Sequence, residues 1–96
     1  MTEKKETRKL VRCVNSGVFF GELKKLEGTK AVLKNARNIW SWAGANGLSS
    51  LAKYGTSKPR ECRFTCEVEE IILLDVCEIL SVTAKAGESI DGVPRW

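Results

Sequence analysis

Two short turn signals constrain the fold of this 96-residue chain more than any other feature of its sequence. Asn15-Ser16-Gly17 and Glu27-Gly28 contain residues that tolerate a positive φ, which tight turns require. The segments around them, Leu10–Val14, Val18–Leu26 and Ala31–Asn35, are apolar or alternate between apolar and polar residues, as half-buried strands do. Strands joined by so few residues must pair antiparallel, because parallel pairing needs a long crossover. The front of the chain therefore predicts an antiparallel meander of three strands.

The rest of the chain predicts two short helices and further strands. Leu48–Tyr54 has helical spacing, and Gly55 is placed to end that helix as a left-handed cap. Thr83 is a suitable N-cap for a second short helix in the tail. Phe64–Val68 and Ile71–Leu80 read as one or two more strands.

These elements fit one domain, which is all that a chain of this length accommodates. We expect a flexible N-terminal arm over residues 1–9, which are polar and charged, and a single α+β domain over residues 10–96. The domain should consist of a small antiparallel β-sheet of four or five strands with two short helices. No apolar run is long enough for a membrane span or a signal peptide, so we expect a cytoplasmic protein with no membrane partner.

The chain contains no histidine, which argues against most enzyme classes. Histidine is the commonest general base and the usual partner of a nucleophilic serine or cysteine. Only two of the four cysteines, Cys62 and Cys66, lie close together, and Cys66 shares a strand face with Phe64 and Val68. We therefore expect buried, reduced thiols and no zinc site. The sequence predicts a binding protein, not an enzyme, with no metal and no cofactor.

The net charge of +4 is unevenly distributed along the chain. Residues 1–63 carry a net charge of +9 and residues 64–96 carry −5. Such a division could steer an anionic ligand to one face, let copies of the chain associate head to tail, or simply keep the protein soluble. Charge alone does not choose among these readings.

The segment most suggestive of a binding site runs from Asn35 to Trp42. Two tryptophans, Trp40 and Trp42, share a face if the strand persists, and Arg37 lies just upstream. Stacking aromatics and a guanidinium suit a nucleotide, because the rings can stack a base and arginine can hold phosphate bidentately. Asn35 would then hydrogen-bond the edge of the base. The alternative is that each tryptophan belongs to the core or to a subunit interface.

Further candidates lie outside this segment. Phe19 and Phe20 are adjacent, so in a regular strand they point to opposite faces, and one of them must meet a helix, a partner subunit or a ligand. Arg60 and Arg63 are additional candidate phosphate contacts. Trp96, near the acidic end of the chain, is a candidate for packing across a dimer seam.

Several of these residues form a pattern that resembles a family of small, mostly uncharacterised proteins of tailed phages and prophages. The pattern comprises Gly17-Val18-Phe19-Phe20-Gly21, Asn35-Ala36-Arg37, Trp40-x-Trp42-x-Gly44-Ala45 and Val93-Pro94-x-Trp96. The resemblance covers about residues 10–96 and implies a phage or prophage origin, hence the cytoplasm of the host cell. Phage proteins of this size include sponges, which are typically oligomers that sequester nucleotide immune signals.

The leading functional expectation is therefore a homo-oligomeric anti-defence sponge that binds a cyclic nucleotide or an ADP-ribose derivative without catalysis. A first alternative is a regulator that binds RNA or single-stranded DNA through the basic N-terminal half, with strong salt dependence. A second alternative is a protein that inhibits a host factor through the tryptophan surface and takes no small ligand.

Overall fold

The meander expected from the turn signals forms the centre of the sheet. The computed structural model describes residues 7–96, so most of the predicted arm, residues 1–6, lies outside the described residues. β1 (Arg8–Cys13), β2 (Val18–Glu27) and β3 (Lys30–Ser41) pair in sequence, each antiparallel to the next. β1 begins at Arg8, two residues before the predicted start, because its pairing with β2 extends to Arg8 opposite Glu22.

Three more strands and two helices complete an α+β domain with a six-stranded sheet, one strand more than the upper expectation. The remaining elements are α1 (Leu48–Tyr54), a 3-10 turn (Pro59–Glu61), β4 (Arg63–Phe64), β5 (Val68–Leu73), β6 (Val76–Ser81) and α2 (Ala84–Asp91). All pairings between these strands are antiparallel. The fold class predicted from the sequence is thus confirmed.

The long strand β3 contains a bulge at Asn35. Asn35 has a φ of 49°, in the left-handed region that asparagine tolerates better than most residues. Across the ladder, Phe20 pairs with Arg37 and Glu22 pairs with Lys34, so two residues of β3 oppose Gly21 alone. A Cβ on Gly21 would lie 3.0 Å from the Lys34 carbonyl oxygen, which explains why a glycine stands there.

The segment Ile71–Leu80, predicted as one strand, is broken at residues 74–75 into β5 and β6. β5 pairs with β3, whereas β6 pairs with β1 at the far side of the meander. In a flat sheet of five strands these two edges would lie about 19 Å apart, since neighbouring strands are about 4.8 Å apart. The three Cα steps from Leu73 to Val76 span about 11 Å at most. The sheet therefore curls toward a barrel.

Hydrogen bonds hold the β5–β6 connection against the two hairpin turns. The Val76 amide donates to the Thr29 carbonyl at 3.0 Å, and the Val14 amide donates to the Asp75 carbonyl at 2.9 Å. The Asp75 carboxylate also accepts from the Asn15 amide at 2.6 Å and from the Ser16 hydroxyl at 2.9 Å. These bonds lower the pKa of Asp75 below its ordinary value, the Asn15 amide contributing most.

The curled sheet has a core on each face. Adjacent residues of β1 and β2 alternate between the faces, so Val11 lies opposite Phe19 in the core of the curl, and Leu10 lies opposite Phe20 under the helices. Both phenylalanines are therefore buried, Phe19 at 6% exposure and Phe20 at 1%. Of the three alternatives that the sequence leaves open, a helix, a partner subunit or a ligand, the structure has Phe20 meeting the helices, and neither phenylalanine is accessible to a ligand.

The two helices that cover the second of these cores begin and end at the residues that the sequence predicts. Gly55, with a φ of 79°, follows α1 and donates its amide to the Leu51 carbonyl. The Thr83 hydroxyl accepts from the Ala86 amide at 3.1 Å and caps α2. Within residues 7–96, no helix is long and apolar enough to cross a membrane.

All four cysteines are free thiols, and their burial divides them into two pairs. Cys13 and Cys62 are buried, as predicted, but Cys66 and Cys77 are exposed. The prediction for Cys66 is wrong because β4 ends at Phe64, so the alternation that placed Cys66 beside Phe64 does not continue. Burial, reinforced by the nearby Asp75 carboxylate, raises the pKa of the Cys13 thiol to about 11.

Candidate functional site

Arg37, the predicted phosphate clamp, is buried and serves the fold. Its side chain is 1% exposed, and its guanidinium donates to five backbone carbonyls. The acceptors are the carbonyl oxygens of Thr65, Ile90, Phe64, Val93 and Pro94, at 2.8 to 3.2 Å. Burial, and then the charge of Arg95, lowers the pKa of this guanidinium. With its donors occupied and no access to solvent, Arg37 cannot hold a ligand phosphate, and that prediction is corrected.

The carbonyls that Arg37 binds belong to the end of β4 and the next residue, to α2 and to the chain after α2, so the arginine fixes the C-terminal segment in place. Arg95 forms a parallel bridge with Phe64, and the Trp96 amide donates to the Phe64 carbonyl at 2.9 Å. The segment thereby extends the sheet alongside β4. Its last residue, Trp96, is brought to the end of β3, where Trp40 lies.

Trp40 and Trp96 stack on each other at the surface. Their ring centroids are 4.8 Å apart with an interplanar angle of 29°. The guanidinium carbon of Arg63 lies 5.2 Å from the Trp96 ring centroid, which is a cation–π distance. Both tryptophans remain well exposed, Trp40 at 63% and Trp96 at 58%. We call Trp40, Trp96 and Arg63 the tryptophan platform.

A groove of about 210 Å³ adjoins the tryptophan platform. We call it the C-terminal groove, and it is lined by Arg60, Glu61, Cys62, Arg63, Pro94, Arg95 and Trp96. The 3-10 turn supplies Arg60 and Glu61, and its backbone is held by the Glu61 amide donating to the Lys58 carbonyl at 3.0 Å. Platform and groove together therefore offer aromatic faces beside three arginines.

One of those arginines is already neutralised within the chain. Glu67 accepts two hydrogen bonds from Arg95, one of them from Nε at 3.1 Å, and Arg95 also donates to the Asp91 carbonyl at 3.0 Å. The bonds from Arg95 lower the pKa of Glu67 to about 2. Elsewhere in the groove, neither Arg60 nor Glu61 has a side-chain hydrogen bond or ion pair within the described part of the chain.

The structure thus brings together three of the eight residues predicted for the site: Trp40, Arg60 and Arg63. Trp42 is half-buried and packs against the core under the helices, so for this tryptophan the core alternative holds. Asn35 is exposed at the β3 bulge, where its side-chain amide donates to the Glu22 carboxylate at 3.2 Å. The roles expected for Arg37, Phe19 and Phe20 are excluded by their burial.

Sequence reasoning did not place Trp96, Arg95 or Glu61 in the site. Trp96, a candidate for packing across a dimer seam, stacks on Trp40 within the chain. The one available signal was the terminal Val93-Pro94-x-Trp96 pattern, which does not say what the tryptophan contacts. Among residues 7–96, no group of histidine, cysteine or acidic side chains is arranged to hold a metal ion.

Residues 6–90 match the family model of a domain of unknown function, DUF6948. The chain belongs to the DUF6948 family. Trp40, Arg60 and Arg63 lie within the part of this DUF6948 chain that the model matches, whereas Arg95 and Trp96 follow it. No curated protein and no solved structure matches the chain.

Proposed function

We propose that this DUF6948 chain is a non-catalytic binder of a nucleotide-type ligand, which it holds on the tryptophan platform and in the C-terminal groove. The observation that carries the proposal is the solvent-exposed Trp40–Trp96 stack with Arg63 over Trp96. A base stacks on an exposed indole with a gain of about 1–3 kcal/mol. Arg60, which has no partner within the described residues, is free to contact phosphate.

The exposure of this tryptophan pair supports a ligand role over a purely structural one. Stacking two tryptophans on each other buries only part of their apolar surface, and each keeps more than half of its area in water. Large exposed aromatic surface is uncommon on a monomer unless something binds it. Arg60 and Arg63, which no carboxylate of the described residues binds, favour an anionic occupant.

The finer biological role that we propose is sequestration of a nucleotide-derived immune signal, of the cyclic-nucleotide or ADP-ribose type, by a phage-encoded sponge. Its support is the sequence resemblance to small phage proteins together with the lack of histidine. A sponge is expected to bind a fixed number of ligands per subunit and to have no turnover.

The proposal includes a homo-oligomer, for which the edge strand β5 is the supporting feature. β5 pairs with β3 on one side and with no strand of residues 7–96 on the other. Val68 and Ile72 on this strand, and Leu74 just after it, are exposed. Apolar edge strands readily pair with another chain. Light scattering coupled to gel filtration measures the subunit number, and a monomeric mass at 100 µM would remove this part of the proposal.

A second candidate function is binding of RNA or single-stranded DNA on the same platform. It is favoured by the openness of the Trp40 face, along which a strand could run. Salt dependence separates the two functions. A single-strand binder that neutralises several phosphates loses affinity steeply with salt, whereas a mononucleotide with one or two phosphate contacts loses much less.

The test is a tryptophan-fluorescence titration and a thermal-shift panel with cyclic nucleotides, ADP-ribose and nucleoside monophosphates. At a hundredfold excess over the Kd, a bound ligand stabilises the folded state by about 2.7 kcal/mol. Small molecules released from natively purified protein on denaturation are identified by mass spectrometry. The proposal fails if no compound raises the Tm or quenches fluorescence at millimolar concentration and nothing is released.

Matched variants locate the site. Trp40→Leu and Arg60→Gln should weaken binding at least tenfold. Arg60→Gln should leave stability nearly unchanged because its side chain is exposed and has no partner in the described chain, whereas Trp40→Leu should cost about 0.5–1.5 kcal/mol for the lost ring stack. Tyr54→Leu and Arg12→Gln are the controls, since they remove an exposed aromatic and an exposed arginine that do not line the groove. Equal effects in test and control variants would argue against the platform.

A further inference from the structure

The C-terminal groove holds one acidic side chain that the fold does not use. Of its three arginines, Arg95 is bound by Glu67, and Arg63 lies over the Trp96 ring. Glu61 lines the same groove, and its carboxylate has no hydrogen bond or ion pair within the described chain. An ionised carboxylate only accepts hydrogen bonds. A ligand that uses both of the groove's unpartnered side chains therefore presents donors to Glu61 as well as negative charge to Arg60.

Among the four common bases, guanine alone presents two adjacent donors on its pairing edge, at N1 and at the N2 amino group. A carboxylate accepts both with its two oxygens. Adenine and cytosine place a ring-nitrogen acceptor beside their single amino group, and uracil flanks one donor with two acceptors. Each of these bases would set an acceptor against the carboxylate, which is unfavourable in a partly enclosed groove.

The size of the groove agrees with a single base. The groove volume of about 210 Å³ is below the roughly 300–1,000 Å³ of pockets that take drug-sized ligands. That is room for one heterocycle, with its sugar and phosphate lying toward the arginines at the rim. A whole dinucleotide would extend out of the groove over the exposed face of Trp40.

We infer that the groove selects a guanine nucleotide, with the base stacked on the tryptophan platform, its N1 and N2 donors on the Glu61 carboxylate and its phosphate on Arg60. This inference rests on the proposed function and deepens it, since nucleotide binding at the platform does not by itself require any preference among bases. The same chemistry covers a free mononucleotide and a guanine within a cyclic dinucleotide.

The experiment compares GMP, IMP and AMP by fluorescence titration at one salt concentration. IMP keeps the N1 donor and lacks the amino group, whereas AMP presents an acceptor at N1. We expect GMP to bind at least tenfold more tightly than AMP, with IMP between them. Glu61→Gln should reduce the preference for GMP over AMP to less than threefold, and Glu69→Gln, an exposed acid on β5 outside the groove, should preserve it.

The outcomes separate the inference from the proposed function. If GMP and AMP bind equally, or AMP binds more tightly, the guanine inference is overturned while nucleotide binding stands. If Glu61→Gln keeps the full preference for GMP, the assignment to Glu61 is overturned. If none of the three nucleotides binds, and no compound of the thermal-shift panel raises the Tm, the proposed function fails.

Discussion

Replacing Arg37 with methionine removes the guanidinium that joins β4 to the C-terminal segment while retaining most of the aliphatic side chain. The variant loses five hydrogen bonds to backbone carbonyls and a contact over the Phe64 ring, at 5.4 Å from its centroid. Because Arg37 is the one charged or polar residue classed as buried in residues 7–96, this is the most sensitive polar position in the described chain.

The magnitude follows from what the carbonyls retain. The Phe64 carbonyl keeps the Trp96 amide and the Ile90 carbonyl keeps the Val93 amide, so neither is orphaned. The carbonyl of Val93, a fully buried residue, has no other donor within the described chain and costs about 1–3 kcal/mol when unsatisfied. Removing the guanidinium also removes its desolvation cost, which offsets most of the gain from its five hydrogen bonds, so the unsatisfied carbonyl sets the scale of the loss.

We expect a net loss of about 3 kcal/mol, a large share of the roughly 5–15 kcal/mol that stabilises a small domain. For about a hundred residues this lowers the Tm by roughly 12–24 °C. Urea unfolding followed by far-UV circular dichroism measures the free energy, and the near-UV signal of the Trp40–Trp96 stack reports the C-terminal segment. Arg60→Met, at an exposed arginine with no side-chain bond in the described chain, is the control and should cost less than about 0.5 kcal/mol. If the two variants unfold alike, the structural role argued for Arg37 is wrong.

Three further predictions concern pH, backbone conformation and thiol reactivity. The pKa of the Glu67 carboxylate is about 2 in the folded state against an ordinary value of 4.5. Its stabilising effect is therefore complete above about pH 4.5 and is lost as the pH falls toward 2. Glu67→Gln should flatten the decline of Tm over that pH range. Gly55→Ala should lower the free energy of unfolding in urea by about 2–4 kcal/mol, because φ is positive and the new Cβ would lie 2.4 Å from the Ser89 side chain of α2. Gly28→Ala, where φ is also positive but no atom is near, should lower it by about 1 kcal/mol. With a thiol reagent at pH 8, Cys66 and Cys77 should react quickly and the two buried thiols only on unfolding; four equal rates would contradict the burial.

Local signals in the sequence account for the elements that they predict correctly. The turn at Asn15-Ser16-Gly17, the cap at Gly55 and the N-cap at Thr83 each depend on a few neighbouring residues, and each stands where it was expected. The break between β5 and β6 was missed because Leu74 is apolar and continues the strand pattern, although it is exposed. What ends β5 there is the curl of the sheet and the bonds from distant turns, which no window of sequence contains.

The candidate site shows the same contrast between residues that local sequence identifies and residues that distant contacts position. Trp40, Arg60 and Arg63 were found because residue type alone suggests stacking and phosphate contact. Trp96 was not placed with them, since its position depends on pairing with Phe64, 32 residues away in the sequence. Arg37 was misassigned for the same reason: its five acceptors come from three segments that only the folded chain brings together.

The burial of Arg37 also changes how binding experiments on this site must be read. The arginine holds the backbone of Val93 and Pro94, and these residues carry Arg95 and Trp96 into the groove and onto the platform. An Arg37 variant that loses ligand would therefore report a displaced platform, and it would do so whether or not any phosphate is ever bound. Substitutions at exposed Arg60 and Glu61 carry no such ambiguity, because the described fold makes no side-chain bond to either. Loss of affinity at those two residues with an unchanged Tm is the combination that separates ligand contact from support of the fold.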